Sequence, residues 1–329
     1  MTEIPSVEPP VSRPGRRAAT VKIAFGLAVL AFGTLYVVRR WDELSAALGR
    51  LSWPAVLLAI PLAWLAQAAA MSSQRSIMTD LGAPLPVVPA ARVYFVSQLG
   101  KYLPGSVWVM VALVALSREY HIPRKTSFTA GVLSMAFSIA VAFVVAAVLL
   151  PLGALDTVEH YWYVGLLLPV LLATLHPRVV TGVLNTALRL ARREPLDTRM
   201  SYPGTFRAAG WMVLAWLLFG LHAFALVVGI GGHAGWTPLA VSIGGFALSY
   251  GIGPLFLIAP AGAGVRETAL VLTLGAVAGG TAAAVAMALV SRIVLIGTDF
   301  GQAGLWTMVD RRRRARTELT AAVPARSVG

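Results

Sequence analysis

The sequence predicts an all-α integral membrane protein with about six full transmembrane helices and two broken or re-entrant segments. Of its 329 residues, 57% are hydrophobic and only 12% are charged, and the mean hydropathy is +0.76. Because about a quarter of the residues in a soluble domain are charged, most of this surface must face lipid. The broken segments are indicated by glycine, proline and charged residues inside stretches that are otherwise apolar enough to cross a bilayer.

The elements follow in order along the chain. Residues 1–17 contain four prolines and no apolar run, which predicts a disordered cytoplasmic tail. A transmembrane domain is expected over 18–308, and a basic cytoplasmic tail over 309–329. The full spans are expected at 18–38, 53–73, 126–150, 161–176, 207–230 and 281–308. Residues 178–193 have apolar positions at helical spacing and a cluster of arginines, which predicts an amphipathic helix on the membrane surface.

The first broken segment is predicted over 92–117. Near its middle it carries Gly100, Lys101, Pro104 and Gly105. A proline inside a helix costs about 3 kcal/mol, and a lysine at the bilayer centre costs about 2.5–3.5 kcal/mol. A membrane protein keeps both only where the broken backbone lies against protein or lines a wet cavity. We therefore expect a re-entrant hairpin here, and with it a functional site.

The second broken segment is predicted over 238–280. Pro260, Gly262 and Gly264 prevent a continuous helix and free backbone N–H groups at membrane depth. The helix that should begin near 265 would direct its N-terminus at this break, where backbone donors favour an anion. Two full spans over 238–256 and 266–279 are the alternative, because the stretch is long enough for either.

The distribution of lysine and arginine predicts the orientation. The stretches expected to be cytoplasmic hold 21 of these 27 residues, and the outer stretches hold three. The positive-inside rule then predicts that both termini are cytoplasmic, in the inner or plasma membrane. Because the formal charge of +13 is concentrated in these membrane-flanking stretches, we expect no nucleic-acid partner.

This topology predicts an inverted repeat. The first half, 18–150, runs span, span, broken segment, span, and the second half, 161–308, repeats that order upside down. Broken segments at matching positions of two inverted halves indicate the binding site of a transporter.

The candidate site residues are the charged and polar side chains of the broken segments and of the last span. Arg292 lies near mid-membrane, where its guanidinium either holds a lipid phosphate or pairs with Glu267 or Asp299. Adjacent Arg266 and Glu267 are expected to face different ways. The predicted headgroup-binding residues are Lys101, Arg266, Glu267, Arg292, Gln98 and Tyr102. The chain has no cysteine and its five histidines are scattered, so we expect no disulfide, metal site or other cofactor.

Two motifs carry a family resemblance. The stretches SQLGKYLPGSVW (97–108) and PAGAGVRE (260–267) resemble the hallmark stretches of the lysylphosphatidylglycerol synthase transmembrane, or flippase-like, family. Arg292 is also similar to that family's pattern, and the similarity covers roughly 20–308. The best-known members join this region to a soluble aminoacyl-transferase domain, for which we expect no room in this chain. The resemblance therefore implies lipid handling rather than the synthase activity.

The expected function is binding and transbilayer translocation of a phosphate-bearing lipid, and not enzymatic catalysis. The lipid partner is expected to be an anionic lipid, an aminoacylated phospholipid or a polyprenyl-phosphate lipid. Two alternatives remain. The chain could be a non-transporting membrane partner that presents lipid to a separate transferase. It could also be a polyprenyl-dependent glycosyltransferase, because Asp42-Glu43 is similar to the acidic pair in the first outer loop of such enzymes.

Overall fold

The described residues form α-helices joined by short turns, with no strand among them. The computed structural model describes residues 38–39, 41–103, 107–153, 200–253 and 264–322, together with positions 176, 179, 182 and 186. The helices are α1 (Trp41–Gly49), α2 (Trp53–Asp80), α3 (Val87–Gln98), α4 (Trp108–Arg118), α5 (Arg124–Gly153), α6 (Tyr202–Gly229), α7 (Trp236–Ile252), α8 (Val265–Leu274) and α9 (Thr281–Ala322). A short 3-10 helix, Leu99–Tyr102, follows α3.

Four of these helices, α2, α5, α6 and α9, are long and apolar enough to cross a membrane. They coincide with four of the six predicted full spans, so the prediction of an all-α membrane protein is confirmed. The predicted spans at 18–38 and 161–176 lie outside the described residues. So does the predicted amphipathic helix at 178–193, apart from three single positions, 179, 182 and 186, which are helical.

Helices α2 and α6 begin in the same way and pack antiparallel. Each follows a serine, Ser52 or Ser201, and each has a proline in its first turn, where the missing N–H is not needed. The backbone N–H of Ser52, before α2, donates to the carbonyl of Gly229, the last residue of α6, at 2.8 Å. At the other end, the N–H of Ser201 donates to the carboxylate of Asp80 at 2.7 Å.

Buried polar contacts hold α2, α6 and α9 together. The hydroxyl of Ser73 donates to the carbonyl of Ala208 at 2.8 Å. His222, fully buried, has Nδ1 2.9 Å from the carbonyl of Ala59 and Nε2 2.9 Å from the hydroxyl of Ser291. Because a carbonyl only accepts, Nδ1 carries the proton and Ser291 donates to Nε2. His222 therefore joins three helices, as expected of a polar residue between membrane helices.

The first helices of the two halves match at a constant shift along the sequence. Helix α6 begins 149 positions after α2, and α7 begins 149 positions after α3. The same shift relates Ser73 to His222 and Ala59 to Ala208, so the two hydrogen bonds of these residues are equivalent. Because the matched helices α2 and α6 are antiparallel, the axis that relates the halves lies across the helices, as an inverted repeat requires.

Turn glycines follow the same 149-residue shift. Gly82 and Gly231, just after α2 and α6, both adopt a left-handed conformation with φ of 79° and 106°. Glycine is the residue that adopts this conformation without a steric penalty. The last helices match with a shift of 157, since α5 begins at Arg124 and α9 at Thr281. The longer shift places eight additional residues in the second broken segment.

The broken segments appear as pairs of short helices. Helix α3 packs on α4 and on α9, and helix α7 packs on α8 and on α5. Helix α8 has ten residues and is about 15 Å long, half of a hydrocarbon core of about 30 Å. The alternative of two full spans over 238–280 does not fit a helix of this length.

Helix α9 continues further than the predicted last span. The span was expected to end at 308 and to be followed by a tail, but the helix runs to Ala322. Arginines at 311–314 prevent burial in hydrocarbon but not helix formation, since arginine is a good helix former. The arginines at 311–314 lie at one end of the bundle, which we call the basic end. Asp80, Glu119, Ser201 and Asp310 mark its position. The opposite end is marked by Trp53, Gly153, Gly229 and Thr281.

Candidate functional site

The first helix break depends on a glycine. Helix α3 ends at Gln98, the 3-10 turn follows, and α4 begins at Trp108. A Cβ atom on Gly100 would lie 2.7 Å from the backbone carbon of Trp108 and 2.7 Å from the nitrogen of Val109. Gly100 therefore allows the start of α4 to fold back against the end of α3. This turn places Lys101 and Tyr102 beside α9, which the 3-10 turn contacts.

The second break ends at Gly264, the N-cap of α8. Its φ is 86°, in the left-handed region that favours glycine. Its N–H donates to Oε2 of Glu267 at 2.7 Å. A carboxylate at the third position of a helix stabilises the helix start through this bond and through the helix dipole. The backbone thus fixes Glu267 beside the break.

Glu267 is the centre of a three-residue ion-pair cluster. Its Oε1 accepts from Arg266 at 3.0 Å and also pairs with Arg292 of α9. The prediction that Arg266 and Glu267 face different ways was wrong, because the long arginine side chain folds back onto its neighbour. The Arg266 guanidinium also lies 4.1 Å from the ring centroid of Tyr250 in α7, a favourable cation–π distance. We call Arg266, Glu267, Arg292 and Tyr250 the glutamate cluster.

A second cluster surrounds Asp299, which is 3% exposed. Its Oδ2 lies 2.5 Å from Nζ of Lys101 and accepts from the hydroxyl of Tyr102 at 2.5 Å. Its Oδ1 accepts from the amide of Gln67 in α2 at 2.9 Å. The Tyr102 ring is stacked on Phe300 with 5.6 Å between centroids. We call Lys101, Tyr102, Gln67 and Asp299 the aspartate cluster.

The two clusters lie along the same helix. Arg292 and Asp299 are seven residues apart, which is about 10.5 Å along the axis of α9 and nearly the same face. The clusters contain three cations and two carboxylates, so the formal charge of the site is +1. Lys101 and Arg292 are the more exposed of the three cations, at 32% and 27% against 16% for Arg266. A guanidinium and an ammonium in a partly desolvated site are suited to bind phosphate oxygens.

The predicted residues divide into three groups. Lys101, Tyr102, Arg266, Glu267 and Arg292 take part in the two clusters, as described above. Gln98 ends α3, and within the described residues it makes no hydrogen bond to either cluster. Gly100 and Gly264 lie at the breaks. Pro104, Gly105, Pro260 and Gly262 lie outside the described residues, so their predicted role in breaking the helices stays a prediction.

Three site residues were missed by the sequence reasoning. The sequence predicts Asp299 only as a partner of Arg292, but in the structure Asp299 pairs with Lys101. It predicts no role for Gln67 or Tyr250. A carboxylate at membrane depth is by itself a reason to suspect a site, and Gln67 is a lone polar residue within an apolar stretch of α2. Tyr250 gave no comparable signal.

The acidic pair Asp42-Glu43 lies elsewhere. Both residues are in the first turn of α1 and line a cavity of about 510 Å³ at the opposite end of the bundle, beside Gly231 and Gly279. Ala283 of α9 also lines this cavity, and Arg292 follows nine residues later, about 14 Å along the axis. Among the described residues, no group of three acidic, histidine or cysteine side chains could hold a metal ion.

Comparison with known proteins gives one result for nearly the whole chain. The sequence model of the lysylphosphatidylglycerol synthase TM region matches residues 21–298. This range contains α1 to α8, α9 as far as Thr298, and all residues of both clusters except Asp299, which lies directly beyond it. A search of curated proteins finds no match to the chain.

Proposed function

Since the chain belongs to the family of the lysylphosphatidylglycerol synthase TM region, we propose that it binds a phosphate-bearing membrane lipid and moves the headgroup across the bilayer. The family and the apolar helices support a lipid-related role in a multi-pass membrane protein. The translocation of such a lipid, without catalysis, is our proposal.

One observation carries this proposal. Side chains of both broken segments meet α9 in two adjacent clusters, Lys101 with Asp299 and Glu267 with Arg292. In transporters with inverted repeats, broken segments supply the substrate site near the bilayer midplane. The net positive charge favours an anionic headgroup. Each carboxylate holds its cation in place until a phosphate takes over part of the contact.

The acyl or prenyl chains would remain in the bilayer. Large apolar side chains next to the site are exposed in the bundle, including Leu103, Trp108, Ile293 and Phe300. They flank the cationic residues on neighbouring positions of the first broken segment and α9. This arrangement lets the headgroup enter sideways between helices while its tails stay in hydrocarbon.

The orientation is part of the proposal. The basic end carries Arg118, Arg124, Lys125 and the arginines at 311–314, so we place this end, and with it the end of α9, in the cytoplasm. The opposite end, with the acidic pair of α1, then faces outward.

The experiment is transbilayer transfer in proteoliposomes. Fluorescent lipids with and without a phosphate are reconstituted with the purified chain, and a membrane-impermeant reductant bleaches the probe that reaches the outer leaflet. We expect faster transfer of a phosphate-bearing lipid than in protein-free liposomes, and much less protein-dependent transfer of a neutral glycosyl-diacylglycerol analogue with the same tails. Binding without transfer would instead support the alternative, in which the chain presents lipid to a separate transferase. Transfer of both lipids at equal rates would contradict the phosphate site.

A matched pair of variants tests the chemistry. Arg292→Lys keeps a positive charge that can neutralise Glu267 but cannot make two parallel hydrogen bonds to phosphate. Arg292→Leu removes both. We expect Arg292→Lys to lose most of the transfer, about tenfold or more, since a hydrogen bond to a charged group contributes about 1.5–3 kcal/mol. Full transfer by Arg292→Lys would show that the residue acts only as a counter-charge.

A further inference from the structure

The inverted repeat contains two equivalent helix interfaces with different chemistry. Helix α3 packs on α9, and its counterpart α7 packs on α5. The shifts of 149 and 157 relate the pair Tyr102–Asp299 to the pair Gly251–Ala142. The first pair is joined by a hydrogen bond of 2.5 Å. In the second, a Cβ atom on Gly251 would lie 3.1 Å from the Cβ of Ala142, so the contact is close and apolar.

The same difference holds at the ends of the two interfaces. Arg92 of α3 lies 3.7 Å from the carboxylate of Asp310 in α9. The equivalent residues are Val241 and Gly153, and a Cβ on Gly153 would lie 2.8 Å from Cγ2 of Val241. The α5–α7 interface is therefore packed with small apolar residues at these positions, whereas the α3–α9 interface carries charges at both of them.

The charged end of the α3–α9 interface is a network of five side chains. Arg92 donates to both oxygens of Glu119, at 2.7 and 3.2 Å, and to the Tyr120 hydroxyl at 3.0 Å. The Tyr120 hydroxyl donates to Asp310 at 2.9 Å, and Arg314 pairs with the same carboxylate at 2.9 Å. Arg314 also reaches Glu119 at 3.4 Å. The guanidinium carbons of Arg92 and Arg314 lie 6.0 and 4.7 Å from the centroid of the Tyr120 ring.

The fold does not require this network. The equivalent helices α5 and α7 pack together without a charge at the matched positions. The ion pairs of the network also add little net stability, because Glu119 and Arg314 are 39% and 42% exposed and water screens their interaction. The packing of the two helices therefore does not by itself account for the charges of the α3–α9 interface.

We propose that Arg92 and Arg314, around Tyr120, form a second phosphate site at the basic end, where the lipid headgroup binds before it reaches the central clusters. This inference rests on the proposed function and deepens it. Glu119 occupies the place of the phosphate: it makes with Arg92 the two-pronged contact that a guanidinium also makes with phosphate. Glu119 is 39% exposed and Asp310 is 3% exposed, so Glu119 is the carboxylate that a headgroup displaces.

The position on α9 connects this site to the central clusters. Asp310 follows Asp299 by eleven residues, which is about 16.5 Å along the axis and within about 20° of the same face. Arg292, Asp299 and Asp310 therefore lie in one line along α9. The charged interface provides polar partners along this line for a headgroup that moves between the basic end and the bundle centre.

The test uses the full chain in phosphatidylcholine nanodiscs with a local reporter. Thr317, exposed and three residues from Arg314, is replaced by cysteine in this cysteine-free chain and labelled with a fluorophore. The probe is a short-chain phosphatidylglycerol that carries a nitroxide on its headgroup, and quenching of the fluorophore is measured against probe concentration. We expect saturable quenching in the otherwise unchanged chain.

Variants then separate the phosphate site from a purely structural network. Glu119→Gln removes the competing anion and should lower the half-quenching concentration roughly two- to fivefold, since an exposed ion pair is weak. Arg314→Gln should raise it about tenfold. Arg118→Gln, which removes one exposed arginine at the same end outside the network, is the matched control and should shift it by less than about twofold. Thermal unfolding of each variant verifies that it is folded.

Several outcomes would overturn the inference. Equal shifts for Arg314→Gln and Arg118→Gln would show that only overall charge attracts the probe. Faster transbilayer transfer by Glu119→Gln with unchanged quenching would show that the network restricts helix movement and does not bind the headgroup. Competition by inorganic phosphate at concentrations no higher than those of the lipid probe would assign the site to a soluble anion. Because the quenching does not require transfer, Arg292→Leu should abolish transfer and keep quenching, which distinguishes failure of this site from failure of the proposed function.

Discussion

Removal of the Asp299 charge should change both the stability of the protein and its affinity for anionic lipid. Asp299→Asn keeps the side-chain volume and an acceptor oxygen, but it leaves Lys101 without its carboxylate. The formal charge of the two clusters then rises from +1 to +2. The folded protein should become less stable, and its affinity for anionic lipid should increase.

The magnitude follows from the exposure of the two partners. Exposed ion pairs contribute about 0.2–1 kcal/mol, and breaking a fully buried pair costs about 3–5 kcal/mol. Asp299 is 3% exposed but Lys101 is 32% exposed, so solvent screens part of the interaction. We expect Asp299→Asn to lower the free energy of unfolding by about 1–3 kcal/mol, between these two limits.

A double-mutant cycle measures this interaction. Asp299→Asn, Lys101→Met and the double variant are unfolded in mixed micelles with increasing dodecyl sulfate, with tryptophan fluorescence as the readout. We expect a coupling energy of at least about 1 kcal/mol, larger than in the control cycle on the exposed pair Arg314 and Glu119. Additivity within about 0.3–0.5 kcal/mol would refute the proposed pairing of Lys101 and Asp299.

Three further predictions address the helix break, the basic end and the topology. Gly100→Ala should destabilise the chain by about 1–3 kcal/mol in the same unfolding assay, because its Cβ would overlap the backbone of α4. The control Gly304→Ala, where a Cβ meets open space, should cost less than about 1 kcal/mol. Equal losses in the two variants would contradict the close approach of α4 to Gly100. The hydrogen bond from Arg92 holds the pKa of Glu119 below its ordinary 4.5. The contribution of Glu119 to stability is therefore present above pH 4.5 and is lost as the pH falls through the lower pKa of the folded state. Glu119→Gln should remove this part of the acid sensitivity, and an unchanged pH profile of stability would contradict the prediction. Cysteines at 156 and 235 should react with an impermeant reagent from outside and those at 121 and 195 should not, whereas labelling at 195 would contradict the inverted topology.

The sequence was sufficient for the class of fold and for the helix breaks. Apolar stretches of membrane-spanning length predict α2, α5, α6 and α9 because the hydrocarbon core allows few other structures. Gly100 and Gly264 marked the breaks because glycine there permits backbone geometries that other residues resist. The length of α9 was underestimated, since the arginines after 308 set the limit of the membrane and not of the helix.

The pairing of charges was harder to predict. Glu267 and Arg292 are 25 residues apart, and their pairing was one of the options considered. Lys101 and Asp299 are 198 positions apart, and their contact depends on the way the turn after α3 packs on α9. Hydropathy carries no information on such a contact. The shift of 149 residues is visible afterwards in Gly82 and Gly231 or in Pro89 and Pro238, but these few identities are a weak signal without the structure.

In the proposed function, a lipid phosphate binds Lys101 and Arg292 of the two clusters on α9. The most direct measurement is photo-cross-linking in nanodiscs with a phospholipid that carries a diazirine next to its phosphate, followed by peptide mapping. We predict cross-links at 101–103, 266–267 and 292–300, and a clear reduction of all three in Arg292→Lys. Cross-links confined to outward-facing apolar positions such as Leu57 and Leu272, unchanged in Arg292→Lys, would contradict the account.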